Sequence, residues 1–317
     1  MNAAMLLKII KFYGRFMPSF TAIGYYARAP FWPAFTTDLT GQTWVVTGAS
    51  GGVGGAITRE AARRGATVLA IARSAAKLDA LVASFSGKGK IIPYVADLAL
   101  QSSTTAVAER LIAEGRKIDV LQNNVGLLLD DYIQTSEGRE TSFATNILNQ
   151  FLLTERLLDA DMFAPGAAVI NMASGGMYNA PLTLARMNAP SAEKYSGVYA
   201  YAVHKRGQAE LVKYWQAKYG HKGMNFYVMH PGWSDTDGVK TAMPRFRRIL
   251  QLVLRNEAQG ADTAVWLGAT RPKGTNPAGF WLDRKPRDAH AYDYTKVTKH
   301  TPEELADYLR AELAKQA

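Results

Sequence analysis

Val45-Val-Thr-Gly-Ala-Ser-Gly-Gly-Val-Gly54 is the stretch on which the fold turns. A β-branched run ends at Thr47, glycines follow at 48, 51, 52 and 54, and small residues continue helically over Gly54–Arg64. Glycines between a strand and a helix let the backbone turn tightly and approach a pyrophosphate, which rests on the helix N-terminus. The same glycines could make a plain turn. A strand before, a helix after and a second strand at Thr67–Ala72 favour the dinucleotide site.

Outward from this turn, short apolar runs alternate with helical patterns. Strands are expected at Trp44–Val46, Thr67–Ala72, Ile91–Val95, Ile118–Gln122, Ala168–Met172 and Asn225–Met229. Helices are expected at Ala75–Phe85, Ser103–Glu114, Thr141–Leu158, Val198–Tyr219 and Ala258–Leu267. Alternation of this kind predicts an α/β protein with a doubly wound parallel sheet, a Rossmann fold. The expected organisation is an N-terminal amphipathic appendage over residues 1–40, one α/β domain over 41–290 and a C-terminal helical extension over 291–317. Thr301-Pro-Glu-Glu304 reads as the cap, first-turn proline and capping glutamate of that last helix.

Composition sets bounds. The chain has 317 residues, 48% of them hydrophobic and 20% charged, which excludes a disordered, collagen-like or coiled-coil protein. It has no cysteine, so disulfides, thiolate metal sites and a cysteine nucleophile are excluded. No histidine–carboxylate cluster suggests a metal. The net charge is +10, concentrated in residues 1–40 (net +3) and 240–255 (net +5, with no acid). The longest charge-free run near the N-terminus, Phe16–Ala27, has twelve residues and is broken by Pro18 and Gly24. A span needs roughly 20 apolar residues, so no transmembrane helix is expected. A secretory signal is not expected either, and the expected location is cytoplasmic.

Arg73 follows the second strand, where a binder of the free ribose 2′-hydroxyl usually places an acid. A guanidinium there suits a 2′-phosphate through charge-assisted hydrogen bonds, so NADP(H) is expected over NAD(H). A merely solvated strand-end arginine is the alternative. Asp97, before Leu98 at the end of the third strand, could accept from an adenine amine or simply hold its own turn. Asn123-Asn-Val-Gly126 ends the fourth strand, where Gly126 could let a ribose approach.

Ser174 follows the fifth strand, and Tyr201 and Lys205 lie four apart on one helix and so share a face. A phenol titrates near 10. An adjacent ammonium pushes it down toward service as a general base. In the reducing direction the same phenol donates the proton. Tyr195 and Tyr199 lack a lysine four residues on. His204 and His230 read as an intervening helix residue and a strand-end residue, without a direct role.

These motifs, in this order, resemble the short-chain dehydrogenase/reductase superfamily over residues 41–235. The resemblance rests on Thr47-Gly-x-x-x-Gly-x-Gly54, Asn123-Asn-Val-Gly126, Ser174, Tyr201-x-x-x-Lys205, Asn146 in Phe143-Ala-Thr-Asn-Ile-Leu148, and His230-Pro-Gly232. By position it implies a catalytic tetrad of Asn146, Ser174, Tyr201 and Lys205. It also implies a cofactor site of Gly48, Ser50, Gly52, Val53, Gly54, Arg73, Asp97, Leu98, Asn124 and Gly126, with Tyr201, Lys205, Pro231 and Gly232 beside the nicotinamide. Val125 replaces the usual alanine. Gly51-Gly52 also fits the extended branch of epimerases and dehydratases, against which the Asn-Asn-Val-Gly motif and the length argue. The 27-position gap from Ser174 to Tyr201 resembles the retinol-dehydrogenase-like branch. Longer stretches resemble the SDR family member 12-like subfamily: Met229-His-Pro-Gly-Trp-Ser-Asp-Thr-Asp-Gly-Val239, Ala242-Met-Pro244, Asn256-Glu-Ala-Gln-Gly-Ala-Asp-Thr263 and Phe280-Trp-Leu-Asp-Arg-Lys-Pro286.

Met177–Gly197 and Ser234–Arg255 should flank the reaction centre, and their Met, Tyr, Leu and Trp content suits a lipophilic carbonyl or alcohol. Leu6, Ile9, Ile10, Tyr13 and Phe16 form one helical face opposite Lys8, Lys11 and Arg15. Phe246, Ile249, Leu250 and Val253 lie beside Arg247, Gln251 and Arg255. Basic amphipathic helices of this kind either lie on an anionic membrane or dock on the protein body. Nucleic acid is not expected, since no recognition motif accompanies the charge. A homo-oligomer stays open. The functional expectation is an NADP(H)-dependent oxidoreductase, with a non-catalytic dinucleotide-binding redox sensor or docking module as the alternative.

Overall fold

The computed structural model describes residues 3–189, 191–236, 239–240, 244–272 and 280–315, with side chains from Phe12 onward. Its centre is one eight-stranded sheet: β1 (Thr43–Thr47), β2 (Thr67–Ala72), β3 (Lys90–Val95), β4 (Ile118–Asn123), β5 (Phe163–Met172), β6 (Asn225–Met229), β7 (Phe280–Leu282) and β8 (Lys285–Arg287). The strand order is β3-β2-β1-β4-β5-β6-β7-β8. All pairs are parallel except β7–β8. The chain reverses its direction of winding between β1 and β4, and ligands of such sheets bind at that switch point.

Both sheet faces are covered. Trp44, Val46, Val68, Ala70, Ile170 and Met229 point into a core shared with Ile57, Ala61 and Val265. Their strand neighbours Val45, Leu69, Ile71, Leu121 and Val169 point into the other, with Phe143, Phe151, Leu211 and Trp215. Burial on two faces is why β1 reads as an unbroken run rather than an alternating one. The expected doubly wound sheet is observed.

Three differences from the sequence reading have local causes. β5 starts at Phe163 rather than Ala168, because a register shift against β4 between Ile118 and Val120 absorbs Pro165 and Gly166. The helix over 141–159 contains a π-turn at Ala144–Leu148, which hydrophobic spacing does not reveal. The hairpin β7–β8 was not foreseen. Its strands have three residues each, and its turn places both Asp283 and Arg284 at positive φ (52° and 55°), as a two-residue hairpin turn requires.

The N-terminal segment docks on the body. Helix Ala3–Phe20 buries Phe16 and Phe20, which stack on one another and on Tyr178. Helix Ala22–Arg28 is tied through Ala22 N–H to the Val253 carbonyl (2.8 Å), and Trp233 N–H reaches the Phe20 carbonyl (2.7 Å). The side chains of Leu6, Lys8, Ile9, Ile10 and Lys11 lie outside the described residues. At the other end, helix Pro302–Ala314 starts with the expected capping box: Thr301 Oγ1 accepts from Glu304 N–H (3.2 Å) and Glu304 Oε2 from Thr301 N–H (2.8 Å).

Candidate active site

The carboxyl ends of β1, β2, β3 and β4 are tied side by side. Thr47 Oγ1 donates to the Gln122 carbonyl (3.1 Å) and accepts from the N–H groups of Asn124 (2.9 Å) and Val125 (3.1 Å). The Asn124 amide donates to the Thr47 carbonyl (2.9 Å). Ala49 N–H reaches the Ile71 carbonyl (3.1 Å), and Ala96 N–H reaches that of Ala72 (3.0 Å). Gly48, Ser50, Arg73, Asp97 and Asn124 therefore line one edge. Thr47 was not singled out from the sequence, though as the last β-branched residue before the glycines it was visible there.

The glycine turn is shaped for close approach. Gly48 has φ +66°, and a Cβ on Gly54 would lie 2.2 Å from the Gly48 carbonyl oxygen, so only glycine allows the helix to press on the turn. Helix Gly52–Arg63 starts at Gly51 with no side-chain cap, and a Cβ on Gly51 would meet nothing within 4 Å. The first helical N–H groups thus have no side-chain cap, the arrangement that receives an anion. Val53, Pro231 and Ser234 converge on Gly260. Gly232, at φ +78°, leaves room for the Arg255 side chain.

Arg73 is exposed, and no carboxylate holds it among the described residues. Asp97 Oδ1 accepts from Ala99 N–H (2.9 Å), the turn-holding role. Leu98 is buried beside it.

The four candidate catalytic side chains meet beyond β5. Ser174 caps a 3₁₀ turn through Gly176 N–H (3.2 Å). The half-buried Tyr201 packs on Gly176, within hydrogen-bond reach of Ser174. Lys205 Nζ lies 5.5 Å from the centroid of the Tyr201 ring and donates to the Met172 carbonyl (2.7 Å) and Gln208 Oε1 (3.1 Å). A Cβ on Gly126 would come within 3.1 Å of Nζ, so glycine admits the lysine. Asn146, on the π-turn, is locked by Leu127: Oδ1 accepts its N–H and Nδ2 donates to its carbonyl, both at 2.8 Å.

Electrostatics differ in one respect from the expected lowering of the tyrosine. Burial pushes the Tyr201 phenol up, with the Ser174 hydrogen bond opposing it. Burial also lowers Lys205 to about 7. In this desolvated pocket the polypeptide alone favours a protonated phenol.

One further group was missed. Gln208, one turn beyond Lys205, donates to the Asn146 carbonyl (2.7 Å) and Gln150 Oε1 (2.8 Å), linking lysine to asparagine through buried amides. Its spacing from Lys205 was the available signal. His204 Nε2 donates to the Met187 carbonyl (2.8 Å), and its Nδ1 lies 3.5 Å from Asn146 Nδ2. His230 is buried between Phe20 and Phe280, with neither ring nitrogen partnered among the described residues. Tyr195 is engaged elsewhere, with Ser142 and the Leu129 carbonyl.

The basic segment 240–255 is less charged than its sequence suggests. Arg247 pairs with Asp235 (2.7 Å), and Arg255 is buried against Asp283 (2.6 Å). Helix Pro244–Leu250 ends at Leu250, so helical spacing does not carry through to Val253 and Arg255. Phe246 and Leu250 face inward, while Ile249 faces out. Asp237, Gly238, Ala242 and Met243 lie outside the described residues.

Comparison with known proteins agrees with this geometry. The family model described as short chain dehydrogenase matches residues 42–245. Dehydrogenase/reductase SDR family member 12 of Bos taurus is 35% identical, with 80% of each chain covered. Retinol dehydrogenase 12 of the same species is 31% identical over 72% of this chain and 73% of its own. A solved structure of a putative NAD(P) dependent gluconate 5-dehydrogenase from Beutenbergia cavernae, with bound NADP, is 26% identical with a TM-score of 0.59, covering 73% of this chain and 91% of that one. Matched along its sheet, its glycine turn and its tyrosine–lysine helix, the chain belongs to the short-chain dehydrogenase/reductase family of oxidoreductases.

Proposed function

We propose that this oxidoreductase interconverts a lipophilic carbonyl and its alcohol with NADP(H). The observation that carries the reading is the convergence of Ser174, Tyr201 and Lys205 at the carboxyl end of β5. The uncapped helix start after Gly51 would hold the pyrophosphate, and Arg73 the 2′-phosphate that distinguishes NADP(H). Asp97 keeps one carboxylate oxygen for an adenine amine, and Gly126, Pro231 and Gly232 leave room near the nicotinamide. The bound dinucleotide supplies or accepts the hydride.

Ser174 Oγ holds the substrate oxygen while the Tyr201 phenol gives it a proton in reduction and takes one in oxidation. A phenol held protonated by burial is in the right state for the donating direction. Lys205 keeps cationic charge next to the phenol when protonated, and Asn146 fixes the loop at Leu127 beneath it. Met177, Tyr178 and Met187 are buried in the core, so the lipophilic class of substrate rests on the relatives. The retinol dehydrogenase relatives support that class. We propose a cytoplasmic location, at a membrane surface where lipophilic substrates collect.

The test is NADPH oxidation by the purified chain over a panel of aliphatic and aromatic aldehydes, retinoids and steroids, beside Tyr201→Phe. Turnover in the wild type alone supports the reading. Equal turnover in both, or none in either across the panel, overturns it.

A further inference from the structure

The described residues carry one outward face with an unusual composition. Arg245, Arg248 and Ile249 lie three and four apart on helix Pro244–Leu250 and share a face, and Leu252 stands out from the turn that follows. Ile249 is 79% exposed and Leu252 94%. Arg245 and Arg248 are exposed, and neither meets a carboxylate among the described residues. The opposite side of the same segment is spent on the body: Phe246 packs on Tyr13 and Trp233, and Leu250 and Leu254 are buried.

The second N-terminal helix extends this face. Ala22 N–H donates to the Val253 carbonyl (2.8 Å), so Ile23 and Leu252 flank a single backbone hydrogen bond. Ile23 is 54% exposed and Tyr26, three residues on and hence on the same side, is 65% exposed. No Asp or Glu occurs in residues 1–37 or 239–255.

We infer that this face, Arg245, Arg248, Ile249 and Leu252 with Ile23 and Tyr26, docks on an anionic lipid bilayer. The inference rests on the proposed function only in that a lipophilic substrate would reach the cleft from that bilayer. Large aliphatics standing out beside unpaired guanidinium groups suit the boundary between acyl chains and phosphates: the side chains insert and the arginines meet the headgroups. Charge selects this occupant over a second copy. A two-fold contact would set Arg245 and Arg248 of one copy against those of the other, with no acid in the patch to offset them. The assignment also moves the bilayer contact away from the described part of helix Ala3–Phe20, whose Phe16 and Phe20 are turned inward.

The experiment is co-sedimentation of the full chain with vesicles of phosphatidylcholine, alone and mixed with phosphatidylserine, at low and at physiological salt. Arg245→Gln/Arg248→Gln and Ile249→Ser/Leu252→Ser are compared with the wild type. All four substituted positions are at the surface, and circular dichroism with thermal melts confirms that the variants fold. The expected result is binding of the wild type to anionic vesicles, weakened by salt, and roughly 25-fold lower partitioning of the arginine pair variant at about fivefold per cation. The serine pair should also bind less, with its salt dependence kept. No wild-type binding at low salt overturns the proposal, as does binding that both variants retain. If sedimentation velocity shows a wild-type dimer that the serine pair abolishes, the face is a self-association surface and the proposal fails. The readout needs no turnover, so an inactive enzyme that still binds vesicles would count against the proposed reaction alone.

Discussion

Arg255 and Asp283 face one another inside the protein in a two-pronged pair, Nη1 to Oδ1 at 2.6 Å and Nη2 to Oδ2 at 2.9 Å, each side chain 1% exposed. The pair does more than join a loop to the β7–β8 turn. Arg255 also donates to the carbonyls of Ser19 (3.0 Å) and Thr21 (3.2 Å), and Arg28 joins Asp283 from the second N-terminal helix (2.8 Å). One carboxylate thus gathers the N-terminal helices, the 234–255 segment and the sheet edge.

Removing that carboxylate should be costly. Asp283→Asn keeps a residue that tolerates positive φ but leaves the Arg255 guanidinium buried without a counter-charge. The expected loss is about 3–5 kcal/mol of unfolding free energy, read by urea denaturation. A loss within about 1 kcal/mol, the scale of one neutral hydrogen bond, would show that apolar packing holds these helices alone.

Tyr201→Phe removes the hydroxyl and little else. Turnover should fall by at least about 100-fold, the lower end for a positioned acid or base, while NADPH binding by fluorescence stays as in the wild type. Equal turnover would take the phenol out of the proton path.

For Arg73, the sensitive quantity is a ratio. Arg73→Ala should raise KM for NADPH by about 10- to 100-fold, as expected for losing a charge-assisted hydrogen bond, and leave KM for NADH near its original value. A parallel change in both would return Arg73 to the role of a solvated strand-end residue.

Acid should unfold the protein through its buried histidines. Burial lowers His204 to about 4 and His230 to about 3, and nearby cations push the same way. Unfolded histidines take up protons near 6.5. Between pH 6.5 and 4 the unfolded state therefore binds more protons, so stability falls as pH falls, by about 1.4 kcal/mol per pH unit for each histidine. His230→Phe, between the rings of Phe20 and Phe280, should show a slope between pH 6 and 4.5 shallower by about that amount. An unchanged slope in urea titrations would mean that His230 is not the group taking up the proton.

Much of this was legible in the residues. The six long strands announce themselves by β-branched runs, and Gly48, Gly54, Tyr201 and Lys205 sit where local backbone rules or helical spacing put them. What stayed hidden depends on partners far along the chain. Arg255 counts as one more charge in a basic run until Asp283, 28 positions later, is folded against it. Phe16 and Phe20 advertise an apolar face but not that Tyr178 and His230 cover it. The lysine–amide network needs Gln208 and Gln150 brought together across 58 positions. β7 and β8 are too short to carry a periodicity, and only the closed sheet shows them as strands.

The two outermost strands each contain a proline, Pro93 in β3 and Pro286 in β8. Proline has no N–H to offer a neighbouring chain, and Lys90, Lys285 and Arg287 add positive charge along the same rims. Both ends of the sheet are thereby closed to further strand addition. The same terminators guard the folded molecule against growing into a fibre.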